Sequence, residues 1–113
     1  MKLETAHKKF IEKLRSEGKS EATVVAYNKD IDQIIEFLSK EGVLEVENMK
    51  IEHLIAFMKS LEEKNYTPKS ISRKTNATRT FIKYMAGEGY LKEDISSQLK
   101  HPKFEMGAPR ILN

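Results

Sequence analysis

Apolar residues recur three and four positions apart in four stretches of the chain, the period of a helix with one buried face. The first stretch runs from about Thr5 to Glu17, with Ala6, Phe10, Ile11 and Leu14 on one side and Gly18 as its stop. The second opens behind Ser20, a good N-cap, and continues to about Lys40 through Val24, Tyr27, Ile31, Ile34, Ile35 and Leu38. Gly42 ends it. The third runs from about Ile51 to Lys64 and is expected to bury Ile51, Leu54, Ile55, Met58 and Leu61. The fourth has the clearest start, with Thr67 as N-cap and Pro68 at the first helical position; it continues to about Ala86, where Gly87 and Gly89 stop it. Phe10, Phe37, Phe57 and Phe81 are expected in the core, as are the rings of Tyr27 and Tyr84, which at these spacings are more often core than stacking platforms.

Around the fourth helix the residues sort into two faces. With Lys69 as the origin and about 100° per residue, Ser72, Arg73, Asn76, Thr80 and Lys83 fall within about 60° of it. Ile71, Thr75, Thr78, Ile82 and Met85 fall opposite. Arg79 lies on the flank and Lys74 nearer the core edge. Beyond Tyr90-Leu91 a short helical turn is expected around Ile95–Leu99. The segment 101–113 holds two of the three prolines and has little periodicity, so it reads as a linker leading out of a helical domain that occupies 1–100.

Charge sharpens this picture. The chain has 20 Lys+Arg and 17 Asp+Glu, yet the stretch from Asn65 to Gly87 contains five of those bases (Lys69, Arg73, Lys74, Arg79, Lys83) and no acid. The other 15 bases therefore face all 17 acids, and nearly all the excess positive charge lies on the fourth helix. An exposed helix usually mixes signs at i, i+4. A cationic face without its own counter-charge points to a polyanion, most plausibly nucleic acid. Ser70, Ser72, Asn76 and Thr80 add hydrogen-bonding groups suited to phosphates and base edges. Arg73 is the strongest single candidate, because its fork grips a guanine edge or a phosphate at two points, whereas Lys69 in the first turn suits a phosphate. The helix starts behind Ser20 and Thr67 expose N–H groups that also suit phosphates, beside their ordinary capping role. The bland alternative, a merely solvated basic face, is about as common.

Composition narrows the class. At 113 residues the chain fits one domain, with an ordinary globular balance of 39% hydrophobic and 33% charged residues. Cysteine is absent, which removes disulfides and thiolate chemistry and fits a reducing cytoplasm. No apolar run approaches the ~20 residues of a membrane span, and the charged start lacks a signal-peptide core. His7, His53 and His101 are isolated, so no metal site is expected, and no cofactor is implied. No convergent acid, base or nucleophile set is visible. Asp30 is expected to face Arg79 across the helices as a structural ion pair.

These residues carry a resemblance. The order Ser20-x-x-Thr23-x-x-x-Tyr27-x-x-Asp30-Ile31, then Tyr66 to Lys74, then Ala77-x-Arg79-x-Phe81-x-x-Tyr84 and a closing Pro102-Lys103 resembles the N-terminal core-binding, SAM-like domain of tyrosine recombinases, the phage-integrase and Xer-type enzymes. Thr75 and Thr78 stand where that family usually shows Leu, and Asp94-Ile95 where it usually shows Asn-Pro. The resemblance implies an all-α bundle of four helices, built as two crossed hairpins, that clamps double-stranded DNA opposite a separate catalytic domain. It places Thr23, Val25 and Ala26 of the second helix and Lys69, Arg73 and Ala77 of the fourth near the major groove. It also implies other recombinase protomers as partners of the full-length protein, the isolated domain being monomeric. The family's catalytic set of Arg, Lys, His-x-x-Arg, a further His or Trp and a nucleophilic Tyr does not carry over, since Lys8-Lys9-Phe10, Leu54-Ile55-Ala56 and Pro102-Lys103-Phe104 follow the three histidines. This chain is therefore expected not to cut DNA. Two other readings stand beside this one: a helical module that docks an acidic protein partner, and, with the least support, a small helical enzyme.

Overall fold

The computed structural model describes residues 1–92, 94–96 and 99, and they form an all-α bundle. Helix α1 spans Leu3–Ser16, α2 Glu21–Lys40, α3 Ile51–Glu63 and α4 Pro68–Gly87, with a single 3-10 turn at Val46–Asn48 before α3. Helix α2 packs on both α1 and α4, and α3 closes against α2 and α4.

Local chemistry sets the helix ends. The Ser20 hydroxyl accepts from the Thr23 N–H at 3.2 Å, and the Thr67 hydroxyl accepts from the Ser70 N–H at 3.1 Å. Each bond satisfies a donor that an α-helix leaves open in its first turn. Pro68 follows at the first helical position, where its missing N–H costs nothing. The α1–α2 and α3–α4 connections each turn through one left-handed residue, Gly18 (φ 80°) and Asn65 (φ 64°). Asn is among the few residues with a side chain that take this conformation readily.

The core is aromatic at its centre. Phe10 of α1 meets Tyr27 of α2 edge-on at 5.7 Å and touches Phe81 and Tyr84 of α4, each at 5.4 Å. Tyr27 and Tyr84 are thus committed to the bundle, as their spacing implies. Burial pushes the Tyr84 phenol up to about 12, with a hydrogen bond to Tyr90 adding to the effect. Ile71, Thr75, Thr78, Ile82 and Met85 are all buried, as the helical wheel predicts. The two threonines are tolerated because each hydroxyl bonds within its own helix, Thr75 to the Ile71 carbonyl and Thr78 to the Lys74 carbonyl, both at 2.8 Å.

Three features depart from the sequence reading. Helix α1 begins two residues earlier than its periodicity implies. The strand-like stretch after α2 clamps it: the Leu3 N–H donates to the Leu44 carbonyl at 2.9 Å, and the Val46 N–H donates to the Met1 carbonyl at 2.8 Å. That stretch also buries Val43, Val46 and Met49. On α3, Ile55 faces solvent at 42% exposure instead of joining the core, while Phe57 is buried as expected, so the inward stripe is Leu54, Phe57, Met58 and Leu61. Phe37 is only half-buried and stacks on Phe57 at 5.4 Å. Ile95 and Leu99, from the expected short turn, are both buried, and the Leu99 N–H donates to the Ser96 carbonyl. The expected linker 101–113 lies outside the described residues.

His7 carries a pH signature. Burial lowers its imidazole below the ordinary value of 6.5, against the opposing influence of the Asp32 carboxylate and a hydrogen bond with Asn28. Its Nε2 is buried without a hydrogen-bond partner among the described residues. The unfolded chain therefore takes up this proton at a higher pH than the folded chain. Stability is full above about pH 6.5 and falls as pH drops through that value toward the folded pKa. Urea unfolding at about pH 7.5 and pH 5.5 tests this: the midpoint should drop on acidification, and drop less in His7→Leu. Equal drops in the two proteins would show that His7 is not the linked group.

Candidate nucleic-acid interface

Helices α2 and α4 lie side by side, and the outer seam between them is a shallow groove. One depression of about 290 Å³ is lined by Thr23, Ala26, Tyr27, Asp30, Arg73, Asn76 and Ala77. A second, more open one is lined by Glu21, Ala22, Val25, Ala26, Lys29 and Arg73. Arg73 borders both. Six of the residues singled out from sequence, namely Thr23, Val25, Ala26, Arg73, Asn76 and Ala77, are thereby brought together although they come from helices more than 40 positions apart. Ala77 is buried and forms the floor of this groove, so it can meet a ligand only through a group that reaches down to it. Val25, at 44% exposure, stands on the opposite wall.

The remaining candidates are spread more widely. Lys69 and Lys83 are exposed on α4, one near each end, and Ser72 and Thr80 are half-exposed between them. The Thr80 hydroxyl donates to the Asn76 carbonyl at 2.9 Å. Ser20 and Ser70 are drawn into the caps: the Ser20 hydroxyl donates to the Thr23 hydroxyl at 2.9 Å, and the Thr67 hydroxyl donates to the Ser70 hydroxyl at 3.0 Å.

The electrostatics differ from the sequence expectation at one decisive point. Asp30 of α2 is 2% exposed, and its carboxylate takes two cations from α4. Arg73 donates Nε to Oδ2 at 3.2 Å and Nη2 to Oδ1 at 3.1 Å, while Lys74 Nζ donates to Oδ1 at 3.0 Å. The expected partner, Arg79, does not reach it; the Arg79 Nε is buried without a hydrogen-bond partner among the described residues. Nearly two helical turns separate the two arginines, and position 73, not 79, lies level with Asp30 where α4 passes α2. Lys74 is buried between Asp30 and the Tyr66 ring, whose centroid is 5.5 Å from Nζ. It is therefore a structural cation, absent from the outer face. Arg73 keeps 60% of its side chain exposed despite the pairing.

A second carboxylate sits near the far end of α4. The Asp94 carboxyl is held below its usual range first by hydrogen bonds from Ser96, and the positive charges of Lys83 and Arg79 act in the same direction. So α4 has no acid of its own, but α2 and the segment after α4 each bring one to it. Of the α4 cations, Lys69 and the outer edge of Arg73 remain prominent near the start of the helix, and Lys29 of α2 lines the groove beside Arg73.

Sequence reasoning singled out Asp30 but misassigned its partner, and it passed over Ala22 and Lys29. A signal for Asp30 was present: it sits within the apolar stripe formed by Tyr27, Ile31 and Ile34, where a carboxylate must be buried and so must be paired. Among the described residues no group of three or more His, Cys, Asp or Glu side chains is placed to hold a metal ion. No helix among them is long and apolar enough to cross a membrane.

Comparison with known proteins finds relatives of this chain. Residues 8–89 match the family model described as phage integrase, N-terminal SAM-like domain. The chain is 32% identical over 104 residues to a tyrosine recombinase XerC of Oceanobacillus iheyensis, covering 91% of this chain and 34% of that protein. It is 29% identical over 101 residues to a tyrosine recombinase XerC of Pseudomonas putida, covering 88% and 34%. It is 28% identical over 90 residues to one of a Roseiflexus species, covering 80% and 29%. The chain thus spans about a third of the length of the relatives it matches. No solved structure matches it.

The buried triad makes a prediction about stability. Asp30→Ala leaves Lys74 as an uncompensated buried charge and should cost about 3–5 kcal/mol of folding free energy. Arg73→Ala removes only the exposed partner and should cost far less. Denaturant midpoints of the two variants check the order, and similar losses would refute it.

Proposed function

The chain belongs to the phage integrase N-terminal, SAM-like domain family, and from that premise we propose that it is the DNA-clamping domain of a site-specific tyrosine recombinase. The observation that carries this reading is the α2–α4 groove, where Arg73 and Asn76 of α4 face Thr23, Val25 and Ala26 of α2, with Lys69 exposed one turn upstream. An α-helix with its side chains is about 10–12 Å wide and the major groove of B-DNA about 12 Å. Helix α4 enters that groove, Lys69 and Lys83 neutralise phosphates along the rim, and the groove residues face base edges. The helix N-termini at Ser20 and Thr67 supply further N–H groups toward phosphates.

Phosphate neutralisation supplies most of the affinity. A single domain with so few cations binds weakly, on the order of 10⁻⁴–10⁻⁶ M, and with steep salt dependence. Strand cleavage belongs to a catalytic region beyond this chain, consistent with relatives about three times its length that are named tyrosine recombinases. Further protomers of the same recombinase assemble with it on two DNA sites.

Titration of a short duplex at two salt concentrations, followed by backbone NMR shifts, tests the reading. Shifts should concentrate on α2 and α4 and diminish as salt rises. Arg73→Ala should weaken binding by about 1–3 kcal/mol, and Lys69→Ala should lower the salt slope by about one. An absence of shifts at low salt would refute the proposal and favour a module that docks an acidic protein.

A further inference from the structure

The same groove holds a feature that phosphate binding does not require. Its central arginine is fixed from below by a buried carboxylate. Asp30 takes the side edge of the Arg73 guanidinium, through Nε at 3.2 Å and Nη2 at 3.1 Å. A guanidinium carries five N–H donors in a rigid plane. With the side edge engaged, the end edge, formed by one proton of Nη1 and the second proton of Nη2, is not used by Asp30. That edge has the spacing that meets O6 and N7 of guanine in the major groove. Among the described residues nothing pairs with it, and the side chain is 60% exposed.

We infer that Asp30 is a positioning residue that makes Arg73 a reader of a guanine edge, by locking one side of the guanidinium and presenting the other at the α2–α4 groove. This inference rests on the DNA-binding reading above and specifies what Arg73 recognises.

Two arguments favour a base over a phosphate. The first is charge. A surface built only to neutralise phosphates gains from every added cation and loses from a carboxylate beneath its arginine. Asp30 cancels one of the two positive charges that contact it, so its presence opposes non-specific binding. A base edge asks instead for a fixed plane, since a bidentate contact fails if the fork rotates. The second is the neighbouring wall. Beside Arg73 the groove is lined by Ala22, Val25 and Ala26, flanked by Glu21 and Lys29; of these only Lys29 attracts a phosphate, and the Glu21 carboxylate repels one. Apolar side chains at such a place suit a thymine methyl. The two walls together fit base edges.

The test begins with selection of duplexes from a randomised pool by the wild-type chain. In the selected duplex each guanine is then replaced in turn by 7-deazaguanine, which lacks N7 but still pairs with cytosine. The quantity read is the affinity ratio between the parent and substituted duplexes. For the wild type, one position should give a ratio of about ten. For Asp30→Asn the ratio at that position should fall to about one. Because Asp30→Asn leaves Lys74 buried without its carboxylate, Asp30→Asn/Lys74→Met serves as a second variant. It removes one charge of each sign, keeps the net charge of the chain, and should show the same lost ratio. Asp30→Glu, which retains the carboxylate, should recover part of it. A merely structural role for Asp30 would weaken both duplexes alike and leave the ratio at its wild-type value, and that outcome would overturn the inference. So would a wild-type preference that no guanine substitution disturbs, although the DNA-binding reading would survive it. Failure of the wild type to bind any duplex would remove both.

Discussion

One buried carboxylate sets the relation between the two central helices. Asp30 lies within the apolar stripe of α2, where an unpaired charge would be far too costly to keep. Its two oxygens are satisfied from α4, by Arg73 and by Lys74. Hydrophobic burial alone tolerates small slides of one helix along another, because the gain scales with area and has no direction. A carboxylate with three donors from one helical turn does not tolerate them. The triad therefore fixes the level at which α4 passes α2, and with it the residues that meet across the outer groove.

The remaining architecture is consistent with that alignment. Phe10 fills the space between α1, α2 and α4 by touching Tyr27, Phe81 and Tyr84. Helix α4 is unusually polar for a central helix, yet it pays no penalty for Thr75 and Thr78, since their hydroxyls bond to carbonyls one turn back. Lys74 is accommodated by Asp30 beneath and the Tyr66 ring beside it. Lys74, Thr75 and Thr78 on the inner side of α4 each have a specific partner, which leaves the outer side to be cationic.

That division of labour bears on function. Of the five bases on α4, Lys74 serves the interior, Arg79 is half-buried, and Lys83 feels the Asp94 carboxylate. The positive surface is narrower than a count of charges implies, and it is concentrated near the start of the helix, at Lys69 and the outer edge of Arg73. A narrow surface with one oriented arginine accords with the proposed site-selecting role more than with a tight grip on any duplex.

The helices themselves were legible in the chain. Ser20, Thr67 and Pro68 mark their starts by local hydrogen bonding, and the three–four spacing of Phe10, Leu14, Ile31, Ile34, Ile71 and Ile82 marks their inner faces, because both signals act within a turn or two. The cationic face of α4 was legible for the same reason. The clamp of residues 43–46 on the start of α1 was not, since Leu3 and Leu44 are brought together by chain closure and no periodicity announces it. Nor was the exposure of Ile55 on α3, which depends on where α2 and α4 leave room. The partner of Asp30 lay beyond reach too. The helical wheel sets Arg73 on the outer stripe, Lys74 at the core edge and Arg79 on the flank without fixing which of them lies level with Asp30, and only the packing of α4 against α2 brings the first two within hydrogen-bonding distance. Short-range propensity thus determined which segments are helical and which faces are polar, whereas long-range packing decided which charges are spent inside the bundle and which remain for a ligand.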